Sequence, residues 1–376
     1  YVPQPAALVE IPKPHKPGQT RPISVLRPED RIVLSALHRV LEPAFERQFP
    51  DGSHAYRRGR GVSSCARAVE HHLRTGFRHV AGADIHRYFE NIPRPALLNQ
   101  LRELVWEYPI LDLMEVYLAM GAVARRRGLP QWVESDRGIA QGSPLSPLLA
   151  NLYLLPFDRF LDAGAGTEAA RMRGVRYADN YLVFARDRNQ AAAANENAIA
   201  FLKQHLQLEV NGDSRILTGD QDGFLFLGFL FQDGKRRLSP LRIQEMSEAL
   251  RAEVRALNRK PLEGLRRIAV TVEGWRHYYE NALEPETWAH FDTLLSGELR
   301  RWVGRIRDKE AGDAPGGEEL ERALTALQTP IPRAAEEMTA WVKQLLAPRR
   351  DTRPAAAEGT PSPRARKAVA QRRREI

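Results

Sequence analysis

One cysteine, Cys65, stands in a chain of 376 residues. A lone thiol excludes a disulfide framework and a Cys-based zinc site, and it suits a reducing compartment, so the expected location is the cytoplasm. No apolar run is long enough to span a bilayer and no secretory signal opens the chain, which excludes a membrane partner from the reading. An initiator methionine is missing too, Tyr1 coming first, and the expectation is a piece of something longer. No internal repeat is visible.

A chain of this length can bury two or three domain cores. Its net charge of +9 points to a polyanionic partner, but the excess is uneven. Residues 348–376 carry nine Lys/Arg against three Asp/Glu in a low-complexity Pro/Ala/Arg segment. That tail is expected to be disordered, either a linker or an arm that holds RNA by charge alone. The remaining body is only mildly basic, so a nucleic-acid site there must be a local groove.

Val9-Glu10-Ile11-Pro12-Lys13 and Arg21-Pro22-Ile23-Ser24-Val25 form a predicted cationic hairpin around the turn Lys16-Pro17-Gly18. Pro28-Glu29-Asp30 opens a helix whose expected apolar face is Ile32, Val33, Ala36, Leu37, Val40 and Leu41, interrupted at Pro43. In the loop beyond it, Arg57, Arg58 and Arg60 stand beside glycines and suit phosphate contacts. Ser63 or Ser64 is the predicted cap of the next helix, which runs to Gly76.

The segment from His79 to Ile85 is predicted as a buried strand ending on Asp84, and an acid there is costly to bury without a partner or a cation. Two largely helical segments follow, 95–106 and 110–125. Gln141-Gly142-Ser143-Pro144 is a turn feeding one apolar helix, 148–161, and such a turn frees backbone N–H groups for anionic or base-edge oxygens. Between Arg176 and Phe184 a polar Ala178-Asp179-Asn180 sits between β-prone flanks, the pattern of a hairpin whose turn presents a carboxylate. A helix at 190–205 and a single apolar strand from Phe224 to Phe231 complete a mixed region. Only helices are expected beyond Pro240.

A cationic hairpin, an acid ending a strand, a Gly-rich loop before a helix and an acid on a hairpin tip are what a template-directed polymerase needs. Two carboxylates from different strands can hold two dications about 3.5–4 Å apart, which activate the attacking oxygen and stabilise the leaving pyrophosphate.

With these blocks in order, the chain resembles the reverse transcriptases of the bacterial group II intron lineage over roughly residues 8–305. The matching segments are Ile11-Pro12-Lys13 with Arg21-Pro22-Ile23, Leu41-Glu42-Pro43, Ala83-Asp84-Ile85 with Tyr88-Phe89, the run from Gln141 to Asn151, Tyr177-Ala178-Asp179, Phe226-Leu227-Gly228, and Gly274-Trp275 with Tyr278. The resemblance implies an α+β right-hand polymerase: fingers and a palm with an antiparallel sheet over 1–238, then an all-α thumb over 239–310. A further helical segment at 311–347 and the basic tail at 348–376 complete the expected organisation.

By position, Asp84 and Asp179 would ligate two Mg²⁺ ions with help from the Ile85 carbonyl. Lys13 and Arg21 would grip the triphosphate, Gln141 and Gly142 would line the nucleotide pocket, and Phe89 would lie under the sugar and exclude a 2′-hydroxyl. Implied partners are an RNA template, a DNA or RNA primer and dNTPs.

The family usually has a second aspartate where this chain has Asn180. A neutral amide is a poorer partner for dications, so weakened activity and a preference for Mn²⁺ are expected. A lysine usual near Ser214 is also missing, with Arg215 one position later. The alternative reading is an impaired polymerase fold kept as an RNA-binding or intron-maturase scaffold. For the biological role, intron mobility, standalone defence and CRISPR spacer acquisition beside an integrase stay open, with a leaning to the last.

Overall fold

The structure, a computed structural model, describes residues 1–12, 18, 20–126, 129–133, 135–165, 172–212, 216–258, 261–279 and 285–310. Two units divide the chain, Tyr1–Met246 with Tyr278–Trp288, and Ser247–His277 with the described part of Ala289–Ile376. The expected segment 311–347 and tail 348–376 lie outside the described residues, as do Lys13, the turn residues Lys16 and Pro17, and Ser214 with Arg215.

The first unit begins with strands β1 (Ala6–Pro12) and β2 (Thr20–Val25), antiparallel, with Ala7 opposite Val25 and Pro12 opposite Thr20. Helix α1 (Pro28–Glu46) has Pro at its start, where the missing N–H has no helical partner to lose. It buries Leu34, Leu37, Leu41 and Phe45, whereas Ile32 and Val40 are 70% and 62% exposed, so the expected apolar face is corrected by one step around the helix. Two overlapping stripes at helical spacing exist in this segment, and the one containing Phe45 is buried. Pro43 lies inside the helix and not at its end; it sits near the last turn on the exposed side, where one lost hydrogen bond is tolerable.

Helix α2 (Val62–Arg74) is capped by Gly61, not by Ser63 or Ser64. Ser64 supports it from the third helical position, its Oγ accepting from the Gly61 N–H at 2.9 Å. Strand β3 (His79–Asp84) is followed by the short helix α3 (Tyr88–Asn91), then α4 (Arg94–Leu104) and α5 (Tyr108–Ala119). The second expected helical segment ends early, because β4 (Ala122–Arg126) pairs with β1 in parallel and with β5 (Leu129–Val133) antiparallel. The helix propensity of its alanines and arginines yields to this strand pairing. These strands make a sheet of order β2-β1-β4-β5.

The apolar run after Ser146 is two helices and not one, α6 (Ser146–Tyr153) and α7 (Leu155–Asp162). Pro156 cannot donate to the turn before it, and the chain breaks at Leu154. Strands β6 (Met172–Tyr177) and β7 (Asn180–Ala185) form the expected hairpin, and helix α8 (Arg188–Leu206) follows with Asp187 as its cap, accepting from Gln190 N–H at 2.8 Å. Strand β8 (Ile216–Gly219) completes a second sheet of order β6-β7-β3-β8, antiparallel throughout. The small side chains Ala191, Ala194 and Ala198 of α8 are fully buried, with Leu202 continuing their stripe at helical spacing.

The apolar run Phe224 to Phe231 is a hairpin and not one strand: β9 (Phe224–Phe226) turns through Leu227 and Gly228, both at positive φ, into β10 (Phe229–Gln232). Positive φ at both central residues matches the twist of a tight hairpin. β11 (Lys235–Leu238) pairs with β10, and beyond it the described residues hold only helices, α9 (Pro240–Ala256), α10 (Pro261–Tyr278) and α11 (Pro285–Glu310). The architecture is therefore α+β followed by an all-α region. In the second unit Leu250, Leu265, Ile268, Phe291, Leu299 and a fully buried Trp302 form the core. Among the described residues no helix is long and apolar enough to cross a membrane.

Candidate active site

The second sheet brings the two predicted acids together. Asp84 ends β3 directly opposite Asn180, the first residue of β7, and Asp179 occupies the turn just before it. The Ile85 N–H donates to the Asp179 carbonyl at 2.9 Å, which joins the strand end to the turn. Asp84 and Asp179 are close enough for their carboxyls to share a hydrogen bond. Burial first, and then the charge of Asp84, push the Asp179 carboxyl up to about 6, against an opposing pull from Arg176. Two hard oxygen donors that repel one another fit a dication of the Mg²⁺ or Mn²⁺ kind, which needs only one or two carboxylates when a substrate's phosphates supply the rest.

The turn itself is held from below. Ala178 has φ +56°, at the first central position of a two-residue hairpin loop where glycine is usual. Its carbonyl accepts from Arg176 Nη1 at 2.8 Å. The Arg176 guanidinium is fully buried and paired through two 2.5 Å contacts to Asp158, with further bonds to Asn151 Oδ1 at 3.2 Å and Ser53 Oγ at 2.8 Å. Burial works against its charge, but Asp158 outweighs that and keeps it protonated. Asn151 in turn donates to the Ala55 carbonyl at 2.7 Å. One buried arginine thus ties the 53–55 loop, α7 and the carboxylate turn into one rigid piece. Neither this role nor that of Asn211, which donates to Asp84 Oδ2 at 2.7 Å, was legible beforehand. Asp158 lies in a helix and Arg176, 18 residues on, in a strand, and such a pairing carries no sequence signal.

Around this centre the predicted nucleotide residues take definite places. Phe89 is half-buried in α3, and its carbonyl accepts from Ile139 N–H at 2.8 Å, which brings the loop leading to Gln141 alongside. The Gln141 carbonyl accepts from Ser24 N–H of β2 at 2.7 Å. Gly142 has φ +108°, and a Cβ there would stand 2.8 Å from the Ser24 carbonyl oxygen, so only glycine lets the loop lie so close to β2. Arg21 is exposed on β2 opposite Ile11. Ile85 forms a bridge with Val210 in which Asp84 and His86, not Ile85, make the hydrogen bonds.

Of the three loop arginines, Arg57 is buried. It forks onto Glu46 at 2.7–3.1 Å and donates to the carbonyls of Pro50, Ser53 and Phe49. Arg58 is exposed, and Arg60 pairs with the exposed Asp51 at 2.5 Å. Among the described residues no cluster of three or more His, Cys, Asp or Glu side chains could hold a metal. The carboxylate pair of Asp84 and Asp179 is the donor set the site offers.

A sheet carrying paired acids at a strand end and a hairpin tip, beside a strand-packed glycine loop, is the arrangement that the resemblance to reverse transcriptases implies. Residues 11–231 match the family model described as reverse transcriptase (RNA-dependent DNA polymerase). That span is more than half of the chain, and the chain belongs to this family. Protein YkfC of Escherichia coli (strain K12) is 26% identical over 294 residues, covering 68% of this chain and 76% of that protein. The group II intron-encoded protein LtrA of Lactococcus lactis subsp. cremoris is 28% identical over 161 residues, 43% of this chain and 26% of its own length. The putative COX1/OXI3 intron 2 protein of Saccharomyces cerevisiae is 23% identical over 60% of this chain and 32% of that protein. The chain thus spans three quarters of the first relative and a third or less of the two intron proteins.

Among solved structures, telomerase from Candida tropicalis in complex with a TWJ fragment of telomeric RNA gives a TM-score of 0.53 at 11% identity, over 92% of this chain and 65% of that one. The corresponding Candida albicans complex gives 0.51 at 12%, over 93% and 65%. These likenesses bear on the fold, a right-hand polymerase.

Proposed function

We propose that the chain is an RNA-directed DNA polymerase that copies an RNA template by extending a DNA or RNA primer with dNTPs. The observation that carries this is the meeting of Asp84 and Asp179 on the antiparallel sheet, with the Asp179 carboxyl raised by burial and then by its neighbour's charge. In this reading fingers and palm occupy 1–238 and the helical thumb 239–310. Asp84 and Asp179, with the Ile85 carbonyl, would hold two Mg²⁺ or Mn²⁺ ions. Bound there, the ions would activate the primer's 3′-hydroxyl and offset charge on the leaving pyrophosphate.

The chain's own residues orient the reactants. Arg21 and Lys13 meet the triphosphate, Gln141 and Gly142 border the incoming base pair, and Phe89 closes the space beside the sugar. Arg58, and Arg60 once it leaves Asp51, would meet phosphates of the nucleic acid, while Arg57 is engaged internally. Primer extension on an RNA template, with Mg²⁺ and with Mn²⁺, tests the proposal. Asp84→Ala and Asp179→Ala should each abolish synthesis, and extension by both variants at the parent rate would overturn it.

Asn180 supports a second reading, a scaffold that binds RNA with little chemistry, because it places an amide beside Asp179 where a third carboxylate would serve. RNA binding that survives in both alanine variants while the parent shows no extension would favour it. For biological role, the intron-encoded relatives support work beside an intron RNA, whereas spacer acquisition with a CRISPR integrase rests on the basic composition of 348–376. The genes flanking this one distinguish the two.

A further inference from the structure

The loop from Ser53 to Arg57 turns all but one of its side chains inward. Ser53, His54, Ala55 and Arg57 are buried, whereas Tyr56 between them is 49% exposed. Its backbone lies at φ +58°, a region that a bulky residue adopts only when its surroundings fix it. They do so on both sides. Asn151 Nδ2 holds the Ala55 carbonyl at 2.7 Å, and Arg57 is pinned to Glu46 and to the Pro50 and Ser53 carbonyls.

This strained loop delivers one ring outward, and that ring meets Phe89 edge to face, with centroids 6.1 Å apart and planes at 88°. Phe89 also touches the ring of Tyr88 at 5.8 Å and 73°, and the Tyr88 hydroxyl is bonded to the Ala150 carbonyl. Phe89 is therefore flanked by one buried ring and one exposed ring. Partial burial and then the charge of Asp179 hold the Tyr56 phenol above its ordinary value.

We infer that Tyr56 is a positioning residue that fixes the Phe89 ring and so sets how strongly the site rejects a nucleotide bearing a 2′-hydroxyl. The inference rests on the polymerase reading above. A ring excludes the extra oxygen only while it cannot swing aside, and the contact with Tyr56 restrains it. The phenol oxygen plays no part in this, so the ring alone should suffice.

The test is single-nucleotide incorporation on an RNA template by the full chain, comparing each dNTP with its ribonucleotide, for the parent, Tyr56→Ala and Tyr56→Phe. Loss of an edge-to-face pair should lower the dNTP-to-rNTP ratio of kcat/KM by roughly three- to tenfold in Tyr56→Ala, chiefly through a lower KM for the ribonucleotide. Tyr56→Phe should keep the parent's ratio. Thermal melting of all three reports folding, and if Tyr56→Ala melts early, Tyr56→Leu is read in its place. An unchanged ratio in a parent that discriminates overturns the inference and leaves the polymerase reading standing. A parent that extends no primer overturns both.

Discussion

Asn211 holds Asp84 twice, its Nδ2 donating to the carboxylate Oδ2 at 2.7 Å and its backbone N–H donating to the Asp84 carbonyl at 2.8 Å. The amide is itself oriented, since its Oδ1 lies 2.6 Å from His86 Nδ1. In the polymerase reading proposed above Asp84 holds metal, and a residue that aims such a carboxylate commonly matters ten- to a hundredfold. Asn211→Ala should therefore lower primer-extension rate by roughly that factor and shift its Mn²⁺ dependence to higher concentration. Titrating the metal in parent and variant checks it, and a rate within about twofold at every concentration counts against the role.

Asn180 faces Asp84 across β3 and β7, so Asn180→Asp adds a third carboxylate to a site that already strains to hold two. Two opposite effects should follow. With chelator the variant should melt below the parent, because like charges repel; with Mg²⁺ the midpoint should recover and extension should rise several-fold, narrowing any preference for Mn²⁺. Differential scanning calorimetry with and without metal reads the first effect independently of activity. Identical midpoints in chelator would reject it.

Asp84 and Asp179 were legible in the sequence because each interrupts an apolar, β-prone run, where a charge needs a reason. What the sequence does not display is burial of charge. Arg57, Arg58 and Arg60 look alike on paper, yet only the fold shows that Arg57 meets Glu46 and backbone carbonyls. Arg176 likewise passes for an ordinary strand residue until Asp158, in a separate helix, is folded against it. The face of α1 and the break at Leu154 failed for a different reason. Overlapping periodicities and a continuous apolar run fit two arrangements equally well, and packing chooses between them.

The Arg176–Asp158 pair carries a prediction about stability. Arg176→Met leaves Asp158 buried without its partner and removes donors from Ser53, Asn151 and the Ala178 carbonyl. Breaking a buried pair from one side costs about 3–5 kcal/mol. Urea unfolding should show a loss of that order for the single variant, and Arg176→Met combined with Asp158→Leu should be less damaging than the sum of the two. Strict additivity would mean that the pair does not act as a unit.

His54 and His72 predict how stability responds to acid. Burial lowers both imidazoles to about 4, with neighbouring cations adding to it: Arg60 and Arg57 for His54, His71 and Arg173 for His72. The unfolded chain takes up a proton near pH 6.5 and the folded one only near 4. Each residue's contribution is thus complete above about pH 6.5 and is lost as pH falls towards 4, a change on the order of 3 kcal/mol at most. Asp179 works in the opposite sense. Its carboxyl is raised to about 6, so in the absence of metal its ionisation destabilises the fold as pH rises from about 4 to 6. Urea titrations at several pH values should separate these effects. His72→Phe, whose ring can take the place now 5.4 Å from Phe184, should flatten the acid limb by about one proton's slope, and Asp179→Asn should steepen it. A slope unchanged in both variants would mean that these groups keep their protons equally in the folded and unfolded chain.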